Sequence, residues 1–280
     1  MEAEPGLVVR VAVPADRENF RNALERYFYP EEPVTRTYYG GSDATEDDMA
    51  FSLSIIESGG VVLAVEEPSG KILGLSAGEI IEPDEAQKLH DLALETETQK
   101  FSDILRFLAH MASGSRVCQR FAKAKAYHIH LLAVDPEARG KSLGKRLIEK
   151  QFELAAKSGI EVVSSDATGV YSAKLYQQLG MECVYTVAYE DYRNSAGQQV
   201  FLGREPHLEA KTPNLACYPY SNLTKQLCNK NGITAGPNPN EWNPPNTPEL
   251  SPRIKEYWSI VKGKLKKKGG TVSDEKKNGL

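Results

Sequence analysis

The stretch "LLAVDPEARGKSLGKRLIEK", residues 131–150, changes character twice. Its apolar start completes "YHIHLLAV" (127–134), a strand pattern that stops at Asp135-Pro136. A small loop carrying Arg139-Gly140 follows, and then an amphipathic helix pattern over 140–158 that Gly159 ends. Arg139, Lys141, Lys145 and Arg146 crowd four positive charges into eight residues of a chain whose net charge is −4. A helix N-terminus presents unpaired backbone N–H groups and the positive end of a dipole. Gly140 and Gly144 let the backbone approach an anion closely, and the basic side chains add charge. Strand, basic glycine turn and helix start in that order point to a phosphate-bearing ligand.

Two common phosphate binders are excluded. A P-loop ending in the Gly140-Lys141-Ser142 triplet needs a glycine five residues upstream, where Asp135 stands. A dinucleotide fingerprint needs G-x-G-x-x-G after the first strand, and the chain has none.

Outward from this stretch, "VVRVAV" (8–13) reads as a strand, and Pro14-Ala15-Asp16 opens a helix through about Phe28 that "YPEEPV" (29–34) breaks. A helical pattern near 45–57 precedes a hairpin of 61–67 with 71–81, turned at Pro68-Ser69-Gly70. Two further helical segments lead into strand 127–134. After helix 140–158 come strand 160–167 and helix 170–179, with Gly180 at its end, and then "ECVYTVAYEDY" and "QVFLGR" as closing strands. The sum is a mixed α/β domain over 7–205.

Hydrophobic content of 40% and charge of 26% suit a soluble globular chain of 280 residues. The acidic balance argues against nucleic-acid binding by the whole molecule. Cys118, Cys183, Cys217 and Cys228 form no CxxC pair and read as reduced thiols of a cytoplasmic protein. The N-terminus lacks a signal-peptide pattern, and no apolar run approaches the ~20 residues of a membrane helix. Nine of the sixteen prolines lie from 206 onward, so 206–280 reads as a disordered tail. Its "KGKLKKK" cluster would bind nucleic acid or acidic membrane electrostatically, and an unstructured soluble extension is the simpler reading.

Three motifs carry a family resemblance. R-x-x-[GS]-x-G after a strand ending in "VDP" resembles the acetyl-coenzyme A signature of the GNAT acyltransferase superfamily. "YSAKLYQQLGM" (171–181) is similar to that superfamily's second segment, and "RYFYPEEPV" (26–34) resembles the Glu-Pro element of insect-type arylalkylamine N-acyltransferases. The resemblance implies a GNAT fold, a mixed sheet with helices on both faces. It implies acetyl-CoA as co-substrate, with the diphosphate cradled by Arg139, Gly140, Lys141, Ser142, Leu143, Gly144 and Lys145. The pantetheine arm would bond main chain at Leu132, Ala133 and Val134, between splayed strands 127–134 and 160–167. Ser142 departs from the usual glycine; its hydroxyl is expected to donate to phosphate. Residues 243–270 loosely resemble the C-terminal end of mariner-like transposases, without any catalytic domain before them.

The resemblance assigns Glu32 as catalytic base, although adjacent carboxylates such as Glu31-Glu32 are ordinarily solvated. A free alkylamine has a pKa of about 10.4, so selecting its neutral form near pH 7.4 costs roughly 4 kcal/mol. A positioned carboxylate removes that proton inside the site. Tyr27, Phe28, Tyr29 and Pro33 flank Glu32 and would raise its pKa. The departing thiolate needs a hydrogen-bond donor. Thr168, Ser172 and Tyr176 are spaced by four and would share one helix face, drifting about 40° per step. The insect-type resemblance implies roles for Thr168 and Ser172, and the wider superfamily implies Tyr176 as the acid. Tyr176 is expected to supply the proton and Ser172 to position, and Tyr176 as core packing is the competing reading. His128 and His130 face the same way on a strand and are read as satisfied strand histidines rather than metal ligands. The expected reaction is transfer from acetyl-CoA to small arylalkylamines such as dopamine, serotonin, tyramine or tryptamine, by a monomer and without a metal. Polyamines or agmatine as acceptors, or a non-catalytic acyl-CoA-binding module, are the alternatives. An acceptor with a second cation would call for extra carboxylates in the pocket.

Overall fold

A computed structural model of the chain describes residues 6–216. Seven strands form one sheet: β1 (Leu7–Val11), β2 (Val61–Glu66), β3 (Lys71–Ile81), β4 (Ala126–Val134), β5 (Val162–Ser165), β6 (Glu182–Ala188) and β7 (Glu209–Ala216). Their order is β1-β2-β3-β4-β5-β7-β6, with β4 and β5 parallel and every other neighbouring pair antiparallel. The helices are α1 (Arg17–Ala23), α2 (Pro33–Arg36), α3 (Glu46–Ser54), α4 (Glu85–Glu95), α5 (Gln99–Ser115), α6 (Val117–Arg120), α7 (Leu143–Lys157) and α8 (Val170–Gln178).

Both faces of the sheet are covered, which explains the near-continuous apolar run of β2. Val61, Leu63 and Val65 pack with Phe20, Leu24 and Leu53 on one face, while Val62 and Ala64 meet Leu143 and Leu147 of α7 on the other. Period-two alternation divides the strand between two cores. A third cluster joins α4 and α5 to the region after β6 through Phe101, Phe107, Tyr189 and Phe201.

The helix opened at Pro14–Asp16 does reach Phe28, but its pitch changes. A 3-10 turn leads into α1, and Leu24–Phe28 form a π-helical turn closed by the Tyr29 N–H to the Leu24 carbonyl at 3.0 Å. The wider turn brings three consecutive aromatics, Tyr27, Phe28 and Tyr29, to buried positions and delivers Glu31 and Glu32 to a cleft edge.

The domain boundary expected at 205 is too early. Strand β7 lies inside the sheet, pairing with β5 through Val162↔Ala216 and with β6 through Val187↔Ala210. Pro213 made this segment look like part of a tail, since proline donates no ladder bond. It stands opposite Cys183, where the β6 register shifts, so its missing N–H falls at an irregularity. The expected strand "QVFLGR" is instead an irregular segment anchored by a Tyr38↔Phe201 bridge. The transposase-like run, the basic cluster, Cys217 and Cys228 lie outside the described residues. Cys118 and Cys183 are free thiols. Among the described residues no helix is long and apolar enough to cross a membrane.

One irregularity positions the site. β4 and β5 pair only over Tyr127↔Val163, His128↔Ser164 and Ile129↔Ser165. The register between β3 and β4 steps from Gly78↔Ile129 to Ala77↔Leu131, leaving His130 as a bulge. A bulge bends its strand. Beyond it, β4 runs on to Val134 while β5 ends at Ser165, so a gap opens in the sheet.

Candidate active site

At one end of that gap lies the glycine turn. The Asp135 Oδ1 accepts the Glu137 N–H at 3.0 Å and fixes Pro136–Ala138 as a single 3-10 turn. The backbone then adopts the left-handed conformation at Gly140 (φ 82°) and again at Ser142 (φ 56°) before entering α7. A Cβ at Gly140 would meet no atom within 4 Å, so glycine is required there for its conformation. Ser142 holds the same conformation with a Cβ, at a cost of about 1 kcal/mol. Its hydroxyl caps no helix N–H and borders the cleft. At Gly144 the constraint is space, because a Cβ would lie 3.1 Å from Leu175 Cδ2 of α8. The Arg146 N–H donates to the Ser142 carbonyl at 3.1 Å, so the N–H groups of Leu143, Gly144 and Lys145 come before the first N–H that has an intrahelical acceptor. The Arg139 guanidinium pairs with Glu31 across the cleft mouth.

The gap itself is a cleft of about 1070 Å³ that runs from this turn between β4 and α8. The Asp135 N–H donates to the Leu73 carbonyl at 2.9 Å, and Ala133 pairs with Leu75. Alternation along the strand therefore turns the main chain of Ala133 toward β3, and that of Leu132 and Val134 toward the cleft. Of the three residues expected to bond an extended arm, only two present backbone groups to it.

Glu32 lies where the cleft meets a second, smaller pocket. Together with Phe28, His130, Asp166 and Thr168 it lines both spaces. Its extended backbone makes it the N-cap of α2, with Pro33 at the first helical position and Oε1 accepting the Val34 N–H at 3.3 Å. The carboxyl is recessed among protein atoms and open on one side. Burial pushes its pKa up to about 7, against the opposing pull of hydrogen bonds from Thr168 and Val34. Such a group exchanges protons at physiological pH, as a general base must.

Across the cleft stands the first turn of α8. Thr168 precedes the helix, whose N-cap is Gly169, so only Ser172 and Tyr176 share the expected helix face. Ser172 is half-buried, lines the cleft, and donates its hydroxyl to the Gly169 carbonyl at 2.9 Å. Tyr176 is almost wholly buried yet also lines the cleft. Burial drives its pKa well upward, with Asp166 adding to the effect and the Ser165 hydrogen bond opposing it. The Ser165 hydroxyl lies 2.8 Å from the Ile129 carbonyl and 2.9 Å from the Tyr176 oxygen, and its single proton serves only one of them. Tyr176 is thus packed in the core and also borders the cleft.

Several residues of the site escaped the sequence. His207, in the region taken for tail, accepts the Val170 N–H on Nδ1 at 3.2 Å and so holds the start of α8. That bond requires a neutral ring, and burial keeps its pKa low, with Arg36 reinforcing and Glu31 opposing the shift. A Cβ at Gly169 would press within 3.1 Å of the same ring. Asp166 accepts the Thr212 hydroxyl at 2.8 Å, and burial lifts its pKa to about 6. His128 lies 3.6 Å from Asp166, and His130 lies 3.2 Å from Glu79. The histidine pair therefore has acidic neighbours, brought in by β3 and the end of β5, that spacing along the chain does not reveal. Among the described residues no group of three or more His, Cys, Asp or Glu has the geometry to hold a metal ion.

An acetyltransferase (GNAT) family model matches residues 18–181. A mosquito arylalkylamine N-acetyltransferase-like 5b structure is 42% identical, covering 75% of this chain and 99% of its own, with a TM-score of 0.73. A Drosophila melanogaster polyamine N-acetyltransferase that forms N-acetylagmatine is 32% identical over 75% and 99%, with a TM-score of 0.71. Arylalkylamine N-acetyltransferase 2 from Aedes aegypti is 25% identical over 76% and 99%, with a TM-score of 0.69. GNAT enzymes take acetyl-CoA as co-substrate, and a basic glycine turn feeding an unpaired strand edge fits its diphosphate and amide-bearing arm. By its family match and by its likeness to these enzymes, the chain belongs to the GNAT family of acetyltransferases.

Proposed function

We propose that the protein transfers an acetyl group from acetyl-CoA to a small primary amine by direct attack in a ternary complex, with arylalkylamines such as dopamine, serotonin, tyramine or tryptamine as acceptors. The observation that carries this reading is the place of Glu32, a carboxyl with a pKa of about 7 at the junction of the coenzyme cleft and the second pocket. The diphosphate would rest on the N–H groups of Leu143, Gly144 and Lys145, with Arg139, Lys141 and the Ser142 hydroxyl beside it. Glu32 takes the proton of the incoming ammonium, directly or through water, and the neutral nitrogen attacks the thioester carbonyl. Thr168 hydrogen-bonds Glu32 and holds its orientation. On the opposite wall Tyr176 donates to the departing sulfur and Ser172 positions it. A thiolate with a pKa of about 8.5 needs a donor more than a strong acid. Phe28, Tyr29, Phe51 and Phe101 in the second pocket support an aromatic acceptor, as does the likeness to the mosquito enzyme.

Polyamine or agmatine acceptors form a second reading, favoured by the additional carboxyl of Asp48 in the same pocket and by the likeness to the Drosophila enzyme. Thiol release from acetyl-CoA over a panel of arylalkylamines, diamines and agmatine tests both. Coenzyme binding without turnover of any amine would leave only a binding module.

A further inference from the structure

The second pocket contains a carboxylate that the acyl-transfer chemistry does not use. Asp48 sits in the first turn of α3, three residues after the N-cap Thr45, and is only 9% exposed. Its Oδ1 accepts the Tyr29 hydroxyl at 3.1 Å, and that hydroxyl is also 2.9 Å from the Ser52 oxygen. Its Oδ2 has no hydrogen-bond partner among the described residues, yet it is not sealed in, and the residue lines the pocket alongside Phe28, Phe51 and Glu32. The charged groups facing it are Glu32, Asp47 and Lys100. Asp47 is taken up by the Thr98 N–H and hydroxyl. The Lys100 ammonium is held by the carbonyls of Thr35, Gly41 and Asp43 at 3.0, 2.6 and 2.7 Å, so it forms no ion pair with Asp48.

Three recessed carboxyls, Glu32, Asp48 and Asp166, therefore line one largely apolar pocket. Asp166 is met by the Thr212 hydroxyl and lies 3.6 Å from His128. The arginine of the lining, Arg116, is exposed, so among the described residues no ammonium or guanidinium pairs with Glu32 or Asp48. A buried carboxylate without a counter-charge is costly, and two of like sign are costlier. A ligand with one cationic group satisfies Glu32 and leaves Asp48 either protonated or uncompensated. A ligand with two cationic groups joined by an apolar spacer satisfies both. We infer that Asp48 is a second anionic subsite, giving amines with a second cationic group, a diamine or a guanidinoalkylamine, an advantage over monoamines. This rests on the acyl-transfer reading and, within it, favours the diamine and agmatine acceptors over the arylalkylamines. A phenolic hydroxyl could also donate to Oδ2, but it brings no charge to match. Burial, with Glu32 and Asp47 adding to it, lifts Asp48 to a pKa of about 7, while the Tyr29 hydrogen bond and Lys100 oppose the shift. The advantage therefore grows as the pH rises through neutrality.

The test is steady-state kinetics of the full chain with acetyl-CoA and agmatine, tyramine or phenethylamine. In Asp48→Asn the ratio of kcat/KM for agmatine to that for phenethylamine should fall about tenfold or more, the scale of losing one buried charge partner. A change of less than about threefold overturns the subsite, as does a fall confined to the ratio of tyramine to phenethylamine. Should the variant fail to bind coenzyme, the wild-type ratio between pH 6 and 8 decides. It should rise about tenfold as a group of pKa near 7 ionises, and a flat ratio overturns the inference. If wild type acetylates none of the three amines, the acyl-transfer reading itself falls and takes the subsite with it. Turnover with an unmoved ratio removes the subsite alone.

Discussion

The two ends of the cleft are built on opposite electrostatic plans. Around Gly140 the chain offers exposed positive charge, unpaired backbone N–H groups and few packing constraints within one continuous segment. Around Glu32 it offers three recessed carboxyls, Glu32, Asp48 and Asp166, drawn from three separate segments and all raised toward neutrality by burial. An anion-binding end needs charge that is already present, and surface lysine, arginine and helix N–H groups provide it at little cost. A proton-accepting end needs a carboxylate basic enough to hold a proton near neutrality, and burial supplies that basicity. One end was assembled by sequence adjacency, the other by tertiary packing.

Separate variants probe each end. The largest effect belongs to Glu32→Gln, which should lower kcat by about 10²- to 10⁴-fold near pH 7.5, as for loss of a general base. Calorimetric titration of this variant with CoA should give nearly unchanged affinity, since Glu32 is not among the residues proposed to hold the diphosphate. At the basic end, Gly140→Val forces a branched side chain into φ 82°. It should weaken CoA by about tenfold or more, with a smaller loss of thermal stability, because no protein atom crowds the position.

How much of this contrast the sequence disclosed follows from the same division. Strand 127–134, the glycine turn and helix 140–158 were legible because the residues that define them are adjacent. The helix begins at Leu143 rather than at 140, since two left-handed residues intervene. Glu32 was reached only through a resemblance, because nothing in "YPEEPV" shows that a π-helical turn buries its neighbours. Asp166 and His207 were missed altogether. Asp166 owes its environment to Thr212, on a strand hidden behind Pro213, and His207 follows a proline in a stretch whose composition suggested a tail.

Stability offers a finer probe of the acidic end. The folded pKa of Asp166, about 6, exceeds its ordinary value of 3.8, so the folded state favours the protonated form. Its ionisation then costs stability progressively as the pH rises from about 4 through 6. Asp166→Asn should raise the Tm at pH 8 by a few degrees, about 1–2 kcal/mol, with the gain gone near pH 4. The smallest effect is expected for Glu31→Gln, which frees Arg139 from a half-exposed ion pair. Such pairs contribute about 0–1 kcal/mol, so CoA should bind up to about threefold tighter at low salt, and the difference should fade at high salt.

The acyl-transfer reading depends on a carboxyl poised near neutrality where the two spaces meet. The pH dependence of kcat/KM for phenethylamine, a monoamine with no second cation for Asp48, measured for wild type and Glu32→Gln, isolates that carboxyl. Wild type should show an acidic limb with an apparent pKa near 7 that is absent from the residual activity of the variant. An unchanged limb in Glu32→Gln, with full turnover across the pH range, would contradict the assignment of Glu32 as the base.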